Sequence, residues 1–132
     1  MERTVIFVCE HGAAKSIVAA AYFNKLAGER HLGIQAMARG TDPDNELAEA
    51  AVKGLAGDGL RAGEHKPVLL SEWDAANAMA LISFCELPKV YDGLTPVEQW
   101  LDVPPVSVDY EKSRDVMLER LKRYLDELEQ ER

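Results

Sequence analysis

Two cysteines occur in 132 residues, and one of them, Cys9, follows the apolar run VIFV of residues 5–8. Five residues, EHGAA, separate Cys9 from Lys15 and Ser16, where a helical pattern begins. A thiol at a strand end, beside a loop that curls into a helix N-terminus, faces backbone N–H groups and the positive end of a helix dipole. Such surroundings favour the thiolate over the thiol. The same N–H groups can cradle a tetrahedral oxyanion. Gly12, Ala13 and Ala14 let the backbone approach closely, and Gly12 can take a positive φ. Lys15 adds a positive charge, and Ser16 can donate a hydrogen bond to the thiolate. The pattern therefore reads as a nucleophile beneath a phosphate-sized nest made by residues 10 to 15. Glu10 brings a negative charge close to that nest, and His11 either orients the loop or lies exposed. Two other readings compete. Cys9 could be an inert buried thiol ending a core strand. A nucleotide loop of the form GxxxxGKS shares Lys15-Ser16, but Ala14 stands where its second glycine belongs.

The remaining chemistry-bearing residues are scattered. Cys85 follows the apolar run MALISF, Arg39 follows a short apolar segment, and Asp102 precedes Val103-Pro104-Pro105. His31 and His65 are isolated, and no Cys/His spacing suggests zinc. Asp42, Asp44, Glu46 and Glu49 read as a solvated helix start. Trp73 and Trp100 read as core or pocket wall. No metal and no cofactor is expected.

Positioning these groups requires elements. Thr4–Val8 is β-branched and aromatic without a polar break, as in a strand buried on both faces. Ser16–Ala27 has apolar residues at helical spacing and ends near Gly28. A second strand is expected over Ile34–Ala38, followed by the turn signal GTDPD at 40–44. A helix is expected over Glu46–Leu55, a short one around Pro67–Asn77, and strands over Met79–Phe84 and Val97–Leu101. The last segment, Asp109–Arg132, carries an apolar stripe of Val116, Leu118, Leu121, Tyr124, Leu125 and Leu128, with Asp109 as N-cap. Strands alternating with helices imply an α/β domain, a parallel sheet with helices on both faces. Ligands of such sheets bind at the carboxyl ends of the strands. Cys9 and Cys85 both fall at that edge.

Length and charge narrow the classes. A chain of 132 residues is read as one domain spanning 1–132. The net charge of −8 argues against binding nucleic acid or an anionic membrane surface. No apolar run has the length of a membrane span, no signal-peptide pattern is present, and two cysteines make no disulfide framework. A reducing cytoplasm is the expected compartment.

With these residues in place, the segment from Cys9 to Ser16 resembles the cysteine loop C-x5-R-S of the low-molecular-weight protein tyrosine phosphatases and of the thioredoxin-coupled arsenate reductases built on the same fold. Further points of likeness run along most of the chain. Arg39-Gly40-Thr41 stands where that family has Ala-Gly-Thr. Phe84-Cys85 ends a third strand, as in the arsenate reductases. Trp100-Leu101-Asp102-Val103-Pro104 stands where the family has a tryptophan and then an Asp-Pro acid loop. The resemblance implies a three-layer sandwich around a four-stranded parallel sheet of flavodoxin-like order 2-1-3-4. It also implies attack by the Cys9 thiolate on a phosphoryl group, with a phospho-enzyme intermediate and Asp102 as general acid. The implied partners are phosphate, arsenate, or a phosphorylated small molecule or protein.

The departures bear on activity. The family's arginine is Lys15, a point charge in place of a planar fork of donors. The family acid directly precedes proline, whereas Val103 holds that place and Asp102 stands one residue earlier. Arg39, at the carboxyl end of the second strand, reads either as reaching the oxyanion and replacing part of the missing arginine or as a solvated surface arginine. The arsenate reductases use three cysteines. Cys9 and Cys85 match two, and no third follows in ELPKVYDG. An arsenate reductase reading therefore needs a Cys9–Cys85 disulfide resolved by an external thiol; otherwise Cys85 is a core residue ending a strand. A catalytically weak oxyanion-binding or regulatory protein is the remaining alternative.

Overall fold

The computed structural model describes residues 3–131. Four strands, β1 (Arg3–Cys9), β2 (Ile34–Gly40), β3 (Ala80–Ser83) and β4 (Val97–Gln99), form one parallel sheet in the order β2-β1-β3-β4. Four α-helices accompany them: α1 (Lys15–Glu29), α2 (Glu49–Gly57), α3 (Glu72–Asn77) and α4 (Tyr110–Gln130). The expected fold class and strand order are those observed. The expected final helix extended to Arg132, which lies outside the described residues.

Side-chain alternation along β1 divides the core. Val5, Phe7 and Cys9 face a cluster that includes Ile17 and Phe23 of α1, Ala51 and Leu55 of α2, and Met117, Leu121 and Leu125 of α4. Ile6 and Val8 face a smaller cluster with Leu70, Ala75, Leu81 and Tyr91. Residues 5 to 8 are 0–1% exposed, which explains why this strand has no polar break. Burial of a side chain such as Phe7 stabilises the fold by about 1.5–3 kcal/mol. Phe7 also packs on Phe23 edge-on and on Phe84 nearly parallel, at centroid distances of 5.8 and 6.3 Å.

Element boundaries shift where loops take work from helices. The helix expected from Glu46 begins at Glu49, because residues 41–48 are used to hold the cysteine loop. The short helix expected from Pro67 begins at Glu72, fixed by a capping box between Ser71 and Asp74. Trp100 is core, 6% exposed, but Trp73 is 72% exposed and is neither core nor pocket wall. Among the described residues no helix is long and apolar enough to cross a membrane.

Candidate functional site

β1 lies between β2 and β3, so the chain passes from β1 to opposite sides of the sheet and leaves a crevice beyond the carboxyl end of β1. Cys9 is the last residue of β1, and Cys85 follows two residues after the end of β3. Both line one cavity of about 280 Å³, together with Glu10, His11, Ala13, Ala14, Lys15 and Asp44 on one side and Phe84, Pro105, Val106 and Ser107 on the other.

The loop from Glu10 to Ala14 is held by its carbonyls. The amides of Thr41, Asp42, Asp44 and Ala48 donate to the carbonyls of Cys9, Glu10, His11 and Ala13, at 3.2, 2.7, 3.0 and 2.9 Å. The amide of Val18 donates to the Ala14 carbonyl at 3.0 Å. Among the described loop and turn hydrogen bonds, none uses an N–H of residues 10 to 15 as donor. Ala14, the N-cap of α1, offers no side-chain oxygen to the first helical turn. The loop therefore turns most of its carbonyls to neighbours and leaves its N–H donors for an oxyanion.

Two glycines permit this shape. Gly12 has φ 62°, and a Cβ there would lie 2.9 Å from the Gly40 nitrogen. A Cβ on Gly40 would lie 2.6 Å from the Gly12 nitrogen. The backbones touch, so the loop rests directly on the end of β2.

Cys9 is 8% exposed, and its Sγ lies 3.0 Å from Ser16 Oγ. Ser16 is wholly buried, and Lys15 is half-buried at the start of α1. Cys85 is half-buried, and burial pushes its thiol up from the usual range, with the Ser83 hydroxyl opposing the shift. Ser83, which the sequence reading passed over, fixes Cys85. Its O–H donates to the Cys85 carbonyl, and it accepts from the Cys85 amide at 3.2 Å. A serine inside MALISF was the available signal, since a polar residue in a strand buried on both faces needs a partner.

Two expected members of the site lie elsewhere. Arg39 pairs with Val8 rather than Cys9 in the β1–β2 register, so its side chain leaves the sheet on the opposite face. There it is held by Asp74 at 3.1 Å and Glu64 at 3.3 Å. It does not reach the oxyanion nest. Asp102 is exposed and bonded to Arg120 at 2.7 Å, in a separate hollow with Glu98, Trp100 and Tyr124. The Arg120 guanidinium holds its carboxyl below the usual range. Asp102 therefore stays ionised and outside the cleft. The loop face of the cavity is supplied by Pro105, Val106 and Ser107, with no carboxylate. Asp109 is the N-cap of α4, accepting from the Lys112 amide at 3.1 Å.

No protein-family model and no curated protein matches the sequence. Solved structures do match the fold. YfkJ from Bacillus subtilis superposes with a TM-score of 0.88 at 18% identity, covering 100% of this chain and 98% of that one. An arsenate reductase from Archaeoglobus fulgidus superposes at 0.77 with 27% identity, covering 92% and 98%. A low-molecular-weight protein tyrosine phosphatase from T. tengcongensis superposes at 0.73 with 18% identity, covering 96% and 99%. The chain thus carries the fold on which low-molecular-weight protein tyrosine phosphatases and arsenate reductases are built.

Proposed function

We propose that the protein is a cysteine-dependent phosphatase of the low-molecular-weight type. The observation that carries this reading is the placement of Cys9 Sγ, 3.0 Å from the buried Ser16 hydroxyl, at the floor of a loop whose carbonyls at Glu10, His11, Ala13 and Ala14 accept from neighbours. A phosphate monoester seats its oxyanion oxygens on the N–H groups of residues 10 to 15 and on Lys15. The Ser16 hydroxyl stabilises the Cys9 thiolate, which attacks phosphorus and forms a phosphocysteine. Water then hydrolyses it to inorganic phosphate and the free thiolate. A neighbour at 19% identity is described as an arsenate reductase in the phosphate binding state, and one at 18% identity as an arginine phosphatase with a phosphorylated active-site serine. Both support oxyanion chemistry at this loop.

A second reading rests on Cys85 lining the same cavity as Cys9. The thiolate of Cys9 adds to arsenate and displaces hydroxide. Cys85 sulfur then attacks Cys9 sulfur, the S–As bond breaks with its electron pair remaining on arsenic, and arsenite leaves. The resulting Cys9–Cys85 disulfide is reduced by an external dithiol, which is itself oxidised.

Turnover of p-nitrophenyl phosphate that disappears in Cys9→Ser and does not require Cys85 supports the phosphatase. Dithiol-dependent arsenate reduction lost in both Cys9→Ser and Cys85→Ser supports the reductase. Phosphate affinity with neither activity leaves an oxyanion-binding protein.

A further inference from the structure

We propose that His11 is the proton donor and acceptor of the phosphatase reaction, with Asp44 as its positioning residue. This rests on the thiol-phosphatase reading given above. With Asp102 outside the cavity and Pro105, Val106 and Ser107 forming its loop wall, the acid must come from the cysteine loop or from the segment packed on it. The titratable groups facing the cavity are Cys9, Glu10, His11, Lys15, Asp44 and Cys85. Lys15 and Cys9 serve the oxyanion and the attack, and Glu10 and Asp44 are exposed at the rim, each facing the His11 ring. Burial pushes the Cys85 thiol up from its usual range, and Cys85 lies across the cavity beyond β3. His11 is left as the cavity group whose ring can both donate and accept a proton.

The ring geometry assigns its nitrogens. Nδ1 of His11 lies 3.2 Å from the Asp42 carbonyl oxygen and 3.3 Å from Asp44 Oδ1. Both oxygens only accept, so Nδ1 carries a hydrogen in either charge state. The proton that comes and goes is therefore on Nε2, which has no hydrogen-bond partner among the described residues and lies 3.9 Å from Glu10 Oε2. The anchor is rigid, because the Asp44 amide also donates to the His11 carbonyl at 3.0 Å.

The steps balance. Cys9 Sγ attacks phosphorus, the P–O bond to the leaving group breaks, and the leaving oxygen takes the electron pair and the Nε2 proton. Neutral His11 then accepts a proton from water as its oxygen attacks the phosphocysteine. The S–P bond breaks, its electron pair returns to Cys9, and inorganic phosphate departs with His11 protonated again.

The test varies the leaving group. Phenyl phosphate needs its leaving oxygen protonated, whereas 2,4-dinitrophenyl phosphate does not. In His11→Asn the amide nitrogen can take the place of Nδ1 and keep the anchor while Nε2 is lost. In His11→Gln it reaches toward the Nε2 position without titrating. Both variants are expected to lose about 10²-fold or more in kcat/KM on phenyl phosphate and under about threefold on 2,4-dinitrophenyl phosphate. The limb of the pH profile belonging to the donor is expected to vanish on phenyl phosphate in both variants, and Asp44→Asn to lower kcat/KM on phenyl phosphate while sparing 2,4-dinitrophenyl phosphate. Equal losses on the two substrates, or an unchanged limb, would overturn the donor role alone. Absence of Cys9-dependent turnover of 2,4-dinitrophenyl phosphate by the wild-type protein would overturn the phosphatase reading, and the donor role with it.

Discussion

On the proposed phosphatase reading, catalytic power turns on Lys15. An ammonium at the edge of the nest supplies charge, but it cannot grip two oxyanion oxygens in one plane as a guanidinium does. Lys15→Arg is expected to raise kcat/KM for p-nitrophenyl phosphate about tenfold, the worth of one further charge-assisted hydrogen bond. A fall would show that lysine is matched to other chemistry. Asp102 gives the opposite expectation. Because it is bonded to Arg120 away from the cavity, Asp102→Asn should leave turnover within about twofold, against the roughly 10²-fold loss of a true general acid. These two residues also mark how far sequence spacing reaches. Cys9, Lys15 and Ser16 are close in sequence, and a strand–loop–helix unit fixes their relation. Asp102 could reach the site only through tertiary structure, and its side chain lies with Arg120 in a different hollow.

At the scale of elements, the register of β1 against β2 decides the fate of Arg39. Strand ends were legible from apolar runs, so Arg39 was correctly placed near the loop. Its face was not legible, because that depends on pairing Val8 with Arg39 and Cys9 with Gly40, and a shift of one residue would reverse it. The same register presses Gly40 against Gly12. Gly40→Ala would force the two backbones apart, and we expect a loss of about 1–3 kcal/mol in stability by denaturant unfolding. A drop in phosphate affinity should accompany it, since the donors of residues 10 to 15 would move. The turn signal at residues 40–44 was legible as a turn. Its partner was not, because nothing local in GTDPD shows that its amides are committed to carbonyls some 30 residues earlier.

For the whole molecule, three helices are joined through one carboxylate. Asp58, just beyond α2, accepts from the hydroxyls of Tyr22 on α1 and Tyr110 on α4, and from Arg114 at 3.1 Å. The Tyr22 hydrogen bond is the largest influence holding the Asp58 carboxyl below its usual range. Its stabilising effect is therefore present above the unfolded-state carboxylate range and fades only as pH falls through the lower folded value. Tyrosines set the alkaline boundary. Burial pushes Tyr124 up to about 12, so the folded protein holds a proton that the unfolded chain releases near pH 10. The neutral phenol contributes stability that is complete below about pH 10 and is lost as pH rises toward about 12. Thermal unfolding followed between those values should show Tm falling steeply, and Tyr124→Phe should flatten that fall. The alternation of strands and helices made this architecture legible, whereas the Asp58 junction joins residues more than 30 positions apart and carries no local signature. The amides of Thr41, Asp42, Asp44 and Ala48 are engaged whether or not an anion is present, so hydrogen exchange should find them protected in the empty protein and little changed by phosphate. A ligand arriving at such a mould has no chain to order, so its binding should carry no entropy cost for folding the loop.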